Sequence, residues 1–245
     1  MKTGFEQELK ILSTQTDHKA ELGVLQAMGM MQDNMCEYYK ILGCDGPTMI
    51  PKCNCFFVLT KTKIRIFSKP KWLQKINLKT DVSRITNLRM NVFHDITDAV
   101  GNLCMDGIQE LCPMDTITRK VRPVNTTLFP EGVEVADTPE NLAFEKFDEE
   151  LDKEYLCEKI KININNIDFY GHTNNLEYVK FILSTIPSSE FYAMDIKSFE
   201  IHYIHESRER EVLDIFCKKS SDNYYYELKN SDKVICKARL VFEKN

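Results

Sequence analysis

The chain has 245 residues, 43% hydrophobic and 28% charged, with 32 Lys+Arg against 37 Asp+Glu for a net charge of −5. That composition excludes intrinsic disorder as the main state, and the negative balance opposes the positive field that a nucleic-acid binder needs to displace counterions from phosphates. The length suits one large domain or two of about 120 residues, either able to bury its own core. No apolar run is long enough to span a membrane, and no apolar signal core follows the opening Met1-Lys2-Thr3-Gly4-Phe5-Glu6, so the cytoplasm is the expected location. The nine cysteines are odd in number and scattered, which argues for free thiols rather than a disulfide framework. Cys53 and Cys55 are separated by one residue and no Cys/His set has zinc spacing, so no metal site is expected.

Residues 5–16 read as a strand. Between 20 and 42, Val24, Met28, Met31, Met35, Tyr38 and Leu42 recur at steps of three and four, which sets them on one helical face, and Gly43 is placed to end the helix. Methionine is unbranched and adaptable, so this stripe suits core packing, the default, or the wall of a lipid-chain pocket. After a loop containing Gly46, Pro47 and Pro51 the period becomes two. Strands are expected at 55–59 running into 63–67, then at 76–82, 89–96 and 103–111, with a hairpin turn over 98–102 and Pro113 and Asp115 ending the last strand. One long helix followed by antiparallel strands implies an α+β unit with a sheet wrapped around the helix.

The segment 119–155 differs. Pro123, Pro130 and Pro139 interrupt it, and 137–154 holds eight acids (Asp137, Glu140, Glu145, Asp148, Glu149, Glu150, Asp152 and Glu154) against Lys146 and Lys153. It reads as a linker with a solvated acidic second part, dividing the chain into an N-terminal domain, 1–118, and a C-terminal domain, 156–245. The second half repeats the plan: Ile160, Ile162 and Ile164 alternate as a strand, a helix starts near Asn175, and strands follow at 199–203, 212–217, 224–228 and 233–242. An offset of 135 pairs Ile64 with Phe199, Ile66 with Ile201 and Leu78 with Leu213, and an internal duplication is the simplest explanation.

The densest chemical cluster is Asp168-Phe169-Tyr170-Gly171-His172-Thr173-Asn174-Asn175-Leu176-Glu177-Tyr178. Asn174 can cap a helix whose third residue is Glu177, a reciprocal capping arrangement, and Gly171 permits a sharp turn ahead of it. Gly171 and His172 then sit at a helix N-terminus, where free N–H groups and the helix dipole favour developing negative charge, as an oxyanion site for acyl transfer requires. A plain capped loop is the alternative for the same residues.

This D-x-x-G-H-x-N-N-x-x-Y pattern at the start of the second helix resembles the hotdog-fold thioesterases, and the wider pattern resembles the acyl-acyl-carrier-protein (acyl-ACP) thioesterases. Supporting stretches are Val58-Leu59-Thr60, the turn Ser68-Lys69-Pro70-Lys71-Trp72, and Ser198-Phe199-Glu200-Ile201-His202-Tyr203-Ile204-His205-Glu206-Ser207. The resemblance covers residues 5 to 243. It implies a tandem double hotdog, hydrolysis of a fatty acyl thioester on acyl carrier protein, and catalytic residues in the C-terminal half. The positions matching the family motif are Asp168, His172, Asn174, Asn175 and Glu206. Two positions depart from it: Tyr170 stands where the family has Asn, and Ser207 where it often has Cys.

Thioester hydrolysis needs an activated water, a polarised carbonyl and a stable leaving thiolate. A solvated carboxylate is a weak base and one beside an apolar tunnel is a stronger one, so Glu206 is assigned general base. His172 is expected to bond the water or the carbonyl, and Asp168 to orient the loop or the imidazole. Backbone N–H groups from His172 to Asn174 are expected to hold the oxyanion. Gly171, Thr173, Asn174, Asn175 and Tyr170 are expected around the substrate, with Met28, Met31 and Met35 shaping the acyl tunnel. A surface carboxylate paired with Arg208 or Arg210 is the alternative for Glu206, and Ser207 lacks the G-x-S-x-G setting of a serine nucleophile.

His18, His94, His202 and His205 are isolated or alternate along strands, and no ligand role is expected for them. Between Lys61 and Lys79 lie seven basic residues and no acid. Lys61, Lys63, Arg65, Lys69 and Lys71 form a docking candidate for an acidic carrier protein, with a merely solvated strand face as the alternative. No metal or bound cofactor is needed, since the substrate brings its own phosphopantetheine arm, and either a monomer or a homodimer is compatible. Two rival functions remain: hydrolysis of acyl-CoA, and non-catalytic acyl binding, to which Tyr170 points.

Overall fold

The structure, a computed structural model, describes residues 4–244. Residues 1–3 and 245, which the sequence reading places in its two end domains and in the N-terminal opening, lie outside the described ones. The chain divides into two units, Met1–Ala143 and Phe144–Asn245.

In the first unit, β1 (Phe5–Lys10) is shorter than expected, because the chain leaves the sheet for a 3-10 turn at Ser13–Gln15. The long helix α1 (Val24–Leu42) starts at Val24, the first residue of its apolar stripe, and the chain turns at 17–21 just before it. The Asp17 carboxylate accepts the Lys19 and Glu21 N–H groups (2.8 and 3.3 Å) and so stabilises a turn there. Gly43 ends the helix in the left-handed conformation, φ +74°, as its position predicts. The stretch read as a loop is a second helix, α2 (Gly46–Cys53). Asp45 caps it by accepting the Thr48 N–H, and Pro47 sits in its first turn, where a missing N–H costs nothing.

The sheet of this unit contains β2 (Cys55–Ile66), β3 (Lys75–Ile85), β4 (Met90–Asp98) and β5 (Leu103–Asp115) in the order β1-β3-β4-β5-β2, all antiparallel. The two pieces expected at 55–59 and 63–67 are one strand, with a register shift between Leu59 and Lys61. β5 runs on through Pro113. Its pairing with β4 has ended at Leu111, so the proline's missing N–H faces no partner strand. Met28, Met31 and Met35 on α1 are buried with Tyr38 and Tyr39. Gly107 on β5 allows that approach: a Cβ there would lie 2.8 Å from Met31 Sδ and 2.9 Å from the Lys63 carbonyl oxygen.

A buried polar chain crosses this core. Asn34 Nδ2 donates to Thr80 Oγ1 (2.6 Å), Thr80 Oγ1 lies 2.9 Å from His94 Nδ1, and His94 Nε2 lies 3.0 Å from Gln109 Oε1. All three contacts are made when Thr80 donates to a neutral imidazole whose Nε2–H donates to Gln109. His94 is therefore a structural group, and burial pushes its imidazole down from 6.5 to about 4, against the opposing pull of Gln109. Between those two values the unfolded chain binds a proton that the folded one does not, so stability falls as pH drops through 6.5 toward 4. The loss is about 3 kcal/mol. Chemical denaturation across that range should therefore show a flatter pH dependence for His94→Gln than for the wild type.

In the second unit, β6 (Leu156–Lys161) leads to α3 (Asn175–Ser184) and the short α4 (Ser188–Tyr192). Then come β7 (Met194–Tyr203), β8 (Val212–Lys219), β9 (Asn223–Asn230) and β10 (Lys233–Lys244). Ile164 does not continue the first strand; it lies in a 3-10 turn, Ile164–Asn166, capped by Asn163, and is exposed. The strand order is β6-β8-β9-β10-β7, which repeats β1-β3-β4-β5-β2 position for position. The offset of 135 maps Ile64 of β2 onto Phe199 of β7 and Leu78 of β3 onto Leu213 of β8, so equivalent strands carry the matched residues.

The segment read as a linker is built into the two units. Val124 and Val133 join the first core, and the Ala136 N–H donates to the Val82 carbonyl (2.8 Å). From Phe144 onward the chain forms a strap over one face of the second sheet. The buried Glu200 accepts the Glu145 N–H (2.8 Å) and the buried Glu227 accepts the Leu151 N–H (2.9 Å). Lys237 donates to the Glu149 carbonyl (2.6 Å), Lys229 donates to that of Leu151 (3.2 Å), and Phe147 stacks on His202 at 4.2 Å. The acids Asp148, Glu149, Glu150 and Asp152 do face solvent as expected, while Leu151 is buried against Phe216 and Tyr225. Among the described residues no helix is long and apolar enough to cross a membrane.

Candidate active site

The loop between β6 and α3 is shaped by its own polar side chains. Asp168 Oδ1 accepts the N–H groups of Tyr170 (2.9 Å) and His172 (3.3 Å), and the backbone doubles back with Asp168 N–H on the His172 carbonyl (2.9 Å). Gly171 takes φ +80° at the tip, a conformation that favours glycine. Asp168 therefore orients the loop that presents the imidazole. The neighbouring Phe169 is 79% exposed, and the Tyr170 ring lies against it at 4.0 Å.

Asn174 is the N-cap of α3, its Oδ1 accepting the Leu176 N–H (2.9 Å). The reciprocal half of the expected capping arrangement is replaced. Glu177 Oε2 accepts Asn166 Nδ2 (2.6 Å), and the Asn174 N–H donates to the Asn166 carbonyl (2.9 Å), so Asn166 bridges the two residues expected to cap each other. No periodicity marks Asn166, although Asn163-Ile164-Asn165-Asn166 is a run of turn-forming amides.

His172 and Glu206 meet. His172 Nε2 lies 3.1 Å from Glu206 Oε2, with the His172 side chain 15% and the Glu206 side chain 38% exposed. Glu206 is in the loop after β7, and a backbone hydrogen bond ties that loop to the His172 loop: the Thr173 N–H donates to the Ser207 carbonyl (2.9 Å). Glu206 thus pairs with His172, and its carboxylate is more solvated than an apolar tunnel wall would make it. Ser207 is fully buried, its Oγ 2.9 Å from Thr173 Oγ1 and 2.7 Å from the Tyr178 hydroxyl.

The expected oxyanion donors need correction. The N–H groups of His172, Thr173 and Asn174 are committed to Asp168, Ser207 and Asn166. In the first turn of α3, the Leu176 and Glu177 N–H groups are satisfied by Asn174. Among the described residues this leaves the Asn175 N–H and the Asn174 carboxamide N–H groups at this corner without a hydrogen-bond acceptor.

The proposed docking stripe is largely compensated by acids or used internally. Lys63 is buried and its Nζ donates to the Ala143 carbonyl (2.8 Å); Arg65 forms a two-pronged pair with the buried Asp106 and also meets Asn141. Lys61 lies 3.6 Å from Glu110 and Lys69 3.1 Å from Asp17, while Lys71 is exposed. The acids come from β5 and from the turn before α1, so the run without acids in sequence is not an acid-free surface. Lys63 and Arg65 serve the fold of the first unit. Among the described residues no cluster of His, Cys, Asp and Glu could hold a metal ion.

A family profile described as the acyl-ACP thioesterase N-terminal domain matches residues 2–130, and one for the C-terminal domain matches residues 149–244. Two curated relatives are dodecanoyl-[acyl-carrier-protein] hydrolases, both chloroplastic. That of Umbellularia californica is 22% identical over 227 residues and that of Cinnamomum camphora 23%, each alignment covering 85% of this chain and 58% of the relative. The chain therefore spans somewhat over half the length of these relatives. Among solved structures, an acyl-ACP thioesterase from Bacteroides thetaiotaomicron superimposes with a TM-score of 0.85 at 20% identity, covering 98% of both chains. The 12:0-ACP thioesterase from Umbellularia californica gives 0.86 at 19% identity, covering 99% of this chain and 98% of the other. The fold is the tandem double hotdog that the helix-start motif implied. With both halves of the chain matched by its domain profiles, this protein belongs to the acyl-ACP thioesterase family.

Proposed function

We propose that this chain hydrolyses the thioester of fatty acyl-ACP, releasing free fatty acid and the carrier protein, with water activated by Glu206. The observation that carries this reading is the 3.1 Å contact between His172 Nε2 and Glu206 Oε2 on the loop before a capped helix. With the imidazole Nε2–H donated to Oε2, the carboxylate keeps lone pairs to accept a proton from a water that attacks the acyl carbonyl. As the proton arrives, the imidazole shares the changing charge, so neither group bears it alone. Asp168 acts one step back, holding the His172 backbone. The Asn175 N–H and the Asn174 carboxamide are the donors offered to the carbonyl oxygen as it becomes an oxyanion. The departing pantetheine thiolate is a stable leaving group, and the reaction needs no metal or bound cofactor.

Within the first unit, Met28, Met31 and Met35 are proposed to shape an acyl tunnel, their unbranched side chains yielding to an alkyl chain. Of the basic residues, Lys71 is the one we retain for a first contact with an acidic carrier protein. The test is hydrolysis of an acyl-ACP series from short to long chains beside matched acyl-CoAs, with released fatty acid measured by mass spectrometry. Turnover favouring the ACP series is expected. Preference for CoA would assign a different carrier, and binding without release from any substrate would overturn the hydrolase reading.

A further inference from the structure

We propose that Tyr178 is a positioning residue for the reaction, holding Glu206 against His172 through a closed ring of hydroxyl hydrogen bonds with Ser207 and Thr173; this rests on the hydrolase reading above. The ring follows from counting protons. The Thr173 hydroxyl donates to the Ser207 carbonyl (3.1 Å), so it can receive but not give the 2.9 Å contact with Ser207 Oγ. Ser207 Oγ–H must then donate to Thr173, which leaves Ser207 Oγ as acceptor for the Tyr178 hydroxyl at 2.7 Å. Tyr178 in turn accepts the Ser207 N–H at 3.1 Å. Every proton has one destination, and the ring closes from Ser207 N–H through Tyr178, Ser207 Oγ and Thr173 back to the Ser207 carbonyl. The Thr173 N–H on that same carbonyl adds a backbone bond.

The consequence is geometric. Thr173 follows His172 and Ser207 follows Glu206, so a ring that locks 173 to 207 also locks 172 beside 206. All three residues are buried, where a hydrogen bond is stronger and an unmade one more costly than in water. Tyr178 projects from the first turns of α3, which ties the Glu206 loop to a rigid element rather than to another loop. The ring also settles what Ser207 does at a position where the family often has cysteine. Its Oγ is fully buried with its proton committed to Thr173, so it acts as a strut and not as a nucleophile.

The test compares Tyr178→Phe, Ser207→Ala and the double variant with the wild type. Removing the Tyr178 hydroxyl should lower kcat for acyl-ACP by about 10- to 100-fold, the scale of a displaced catalytic group, with KM within about twofold. Ser207→Ala should cost a similar factor, and the double variant should be little worse than either single one, because both break the same ring. The same variants are read without turnover by amide hydrogen exchange at Ser207, whose N–H should exchange about tenfold faster in Tyr178→Phe as its acceptor is lost. Unchanged exchange there would overturn the ring, and unchanged kcat with faster exchange would overturn its positioning role. Complete loss in Ser207→Ala beside full activity in Tyr178→Phe would instead make Ser207 the nucleophile. If the wild type itself releases no fatty acid while the exchange result holds, the hydrolase reading fails, the ring stands as structure alone, and the positioning role is overturned.

Discussion

Replacing Glu206 by Gln should reduce acyl-ACP hydrolysis by about 10²–10⁴-fold, the range that a positioned general base contributes. Gln is isosteric and its Oε1 can still accept the His172 Nε2–H, so the 3.1 Å contact and the loop geometry are retained while the basic carboxylate is removed. Binding of acyl-ACP should therefore survive, with KM or Kd within about threefold, and the loss should fall on kcat. Steady-state release of fatty acid, paired with equilibrium binding of a non-hydrolysable acyl-ACP, separates the two. A variant that turns over at the wild-type rate would remove Glu206 from the chemistry and leave it a surface partner of His172.

The second large effect concerns stability. Glu227 is fully buried in β9, accepts the Leu151 N–H, and pairs with Lys229 at 2.9 Å and Lys237 at 3.5 Å. Removing the carboxylate strands a buried cation and an unsatisfied strap N–H, and Glu227→Ala should cost about 3–5 kcal/mol. The destabilisation should include local release of the strap, since Glu149, Leu151 and Phe147 all contact residues of this network. A lowered denaturation midpoint, with new proteolytic cleavage between 144 and 155, is the expected result. An unchanged midpoint with the segment still protected would show that the apolar contacts of Phe147 and Leu151 hold the strap alone.

Much of the architecture was legible because it depends on period. The stripe from Val24 to Leu42 and the alternation in the strands state which side of each element is apolar, and burying those sides leaves few ways to arrange a sheet and a helix. The duplication was legible for the same reason: equivalent strands bury equivalent positions. The loop of the candidate active site could be read because its turn and cap chemistry is local, with Asp168, Gly171 and Asn174 acting within six residues of each other.

The misreadings share a cause. Pro47 and Pro51 suggested a loop, but a proline in the first turn is compatible with a helix once Asp45 caps it. The acidic run read as a solvated linker, although it lies against a strand face that carries Glu200, His202, Glu227 and Lys229. The face is covered by 144–155, whose Phe147, Leu151 and Tyr155 at steps of four carried a faint signal within the acidic run. The basic stripe looked unopposed because Asp106 and Glu110 lie about forty to fifty residues away in sequence and face it only when β5 pairs with β2.

By itself, then, the sequence determined the helices α1 and α3, most of the strands, their repetition and the identity of the loop that bears His172, since each is marked by a pattern among neighbouring residues. Only the tertiary structure decided which distant groups meet: Glu206 with His172, Ser207 with Tyr178 and Thr173, and Asn166 with Glu177. The physical reason is that hydrogen bonds and ion pairs act over about 3 Å, whereas these partners are separated along the chain by 11 to 34 residues. That distance is closed by packing of the apolar core, which sets the loops against each other.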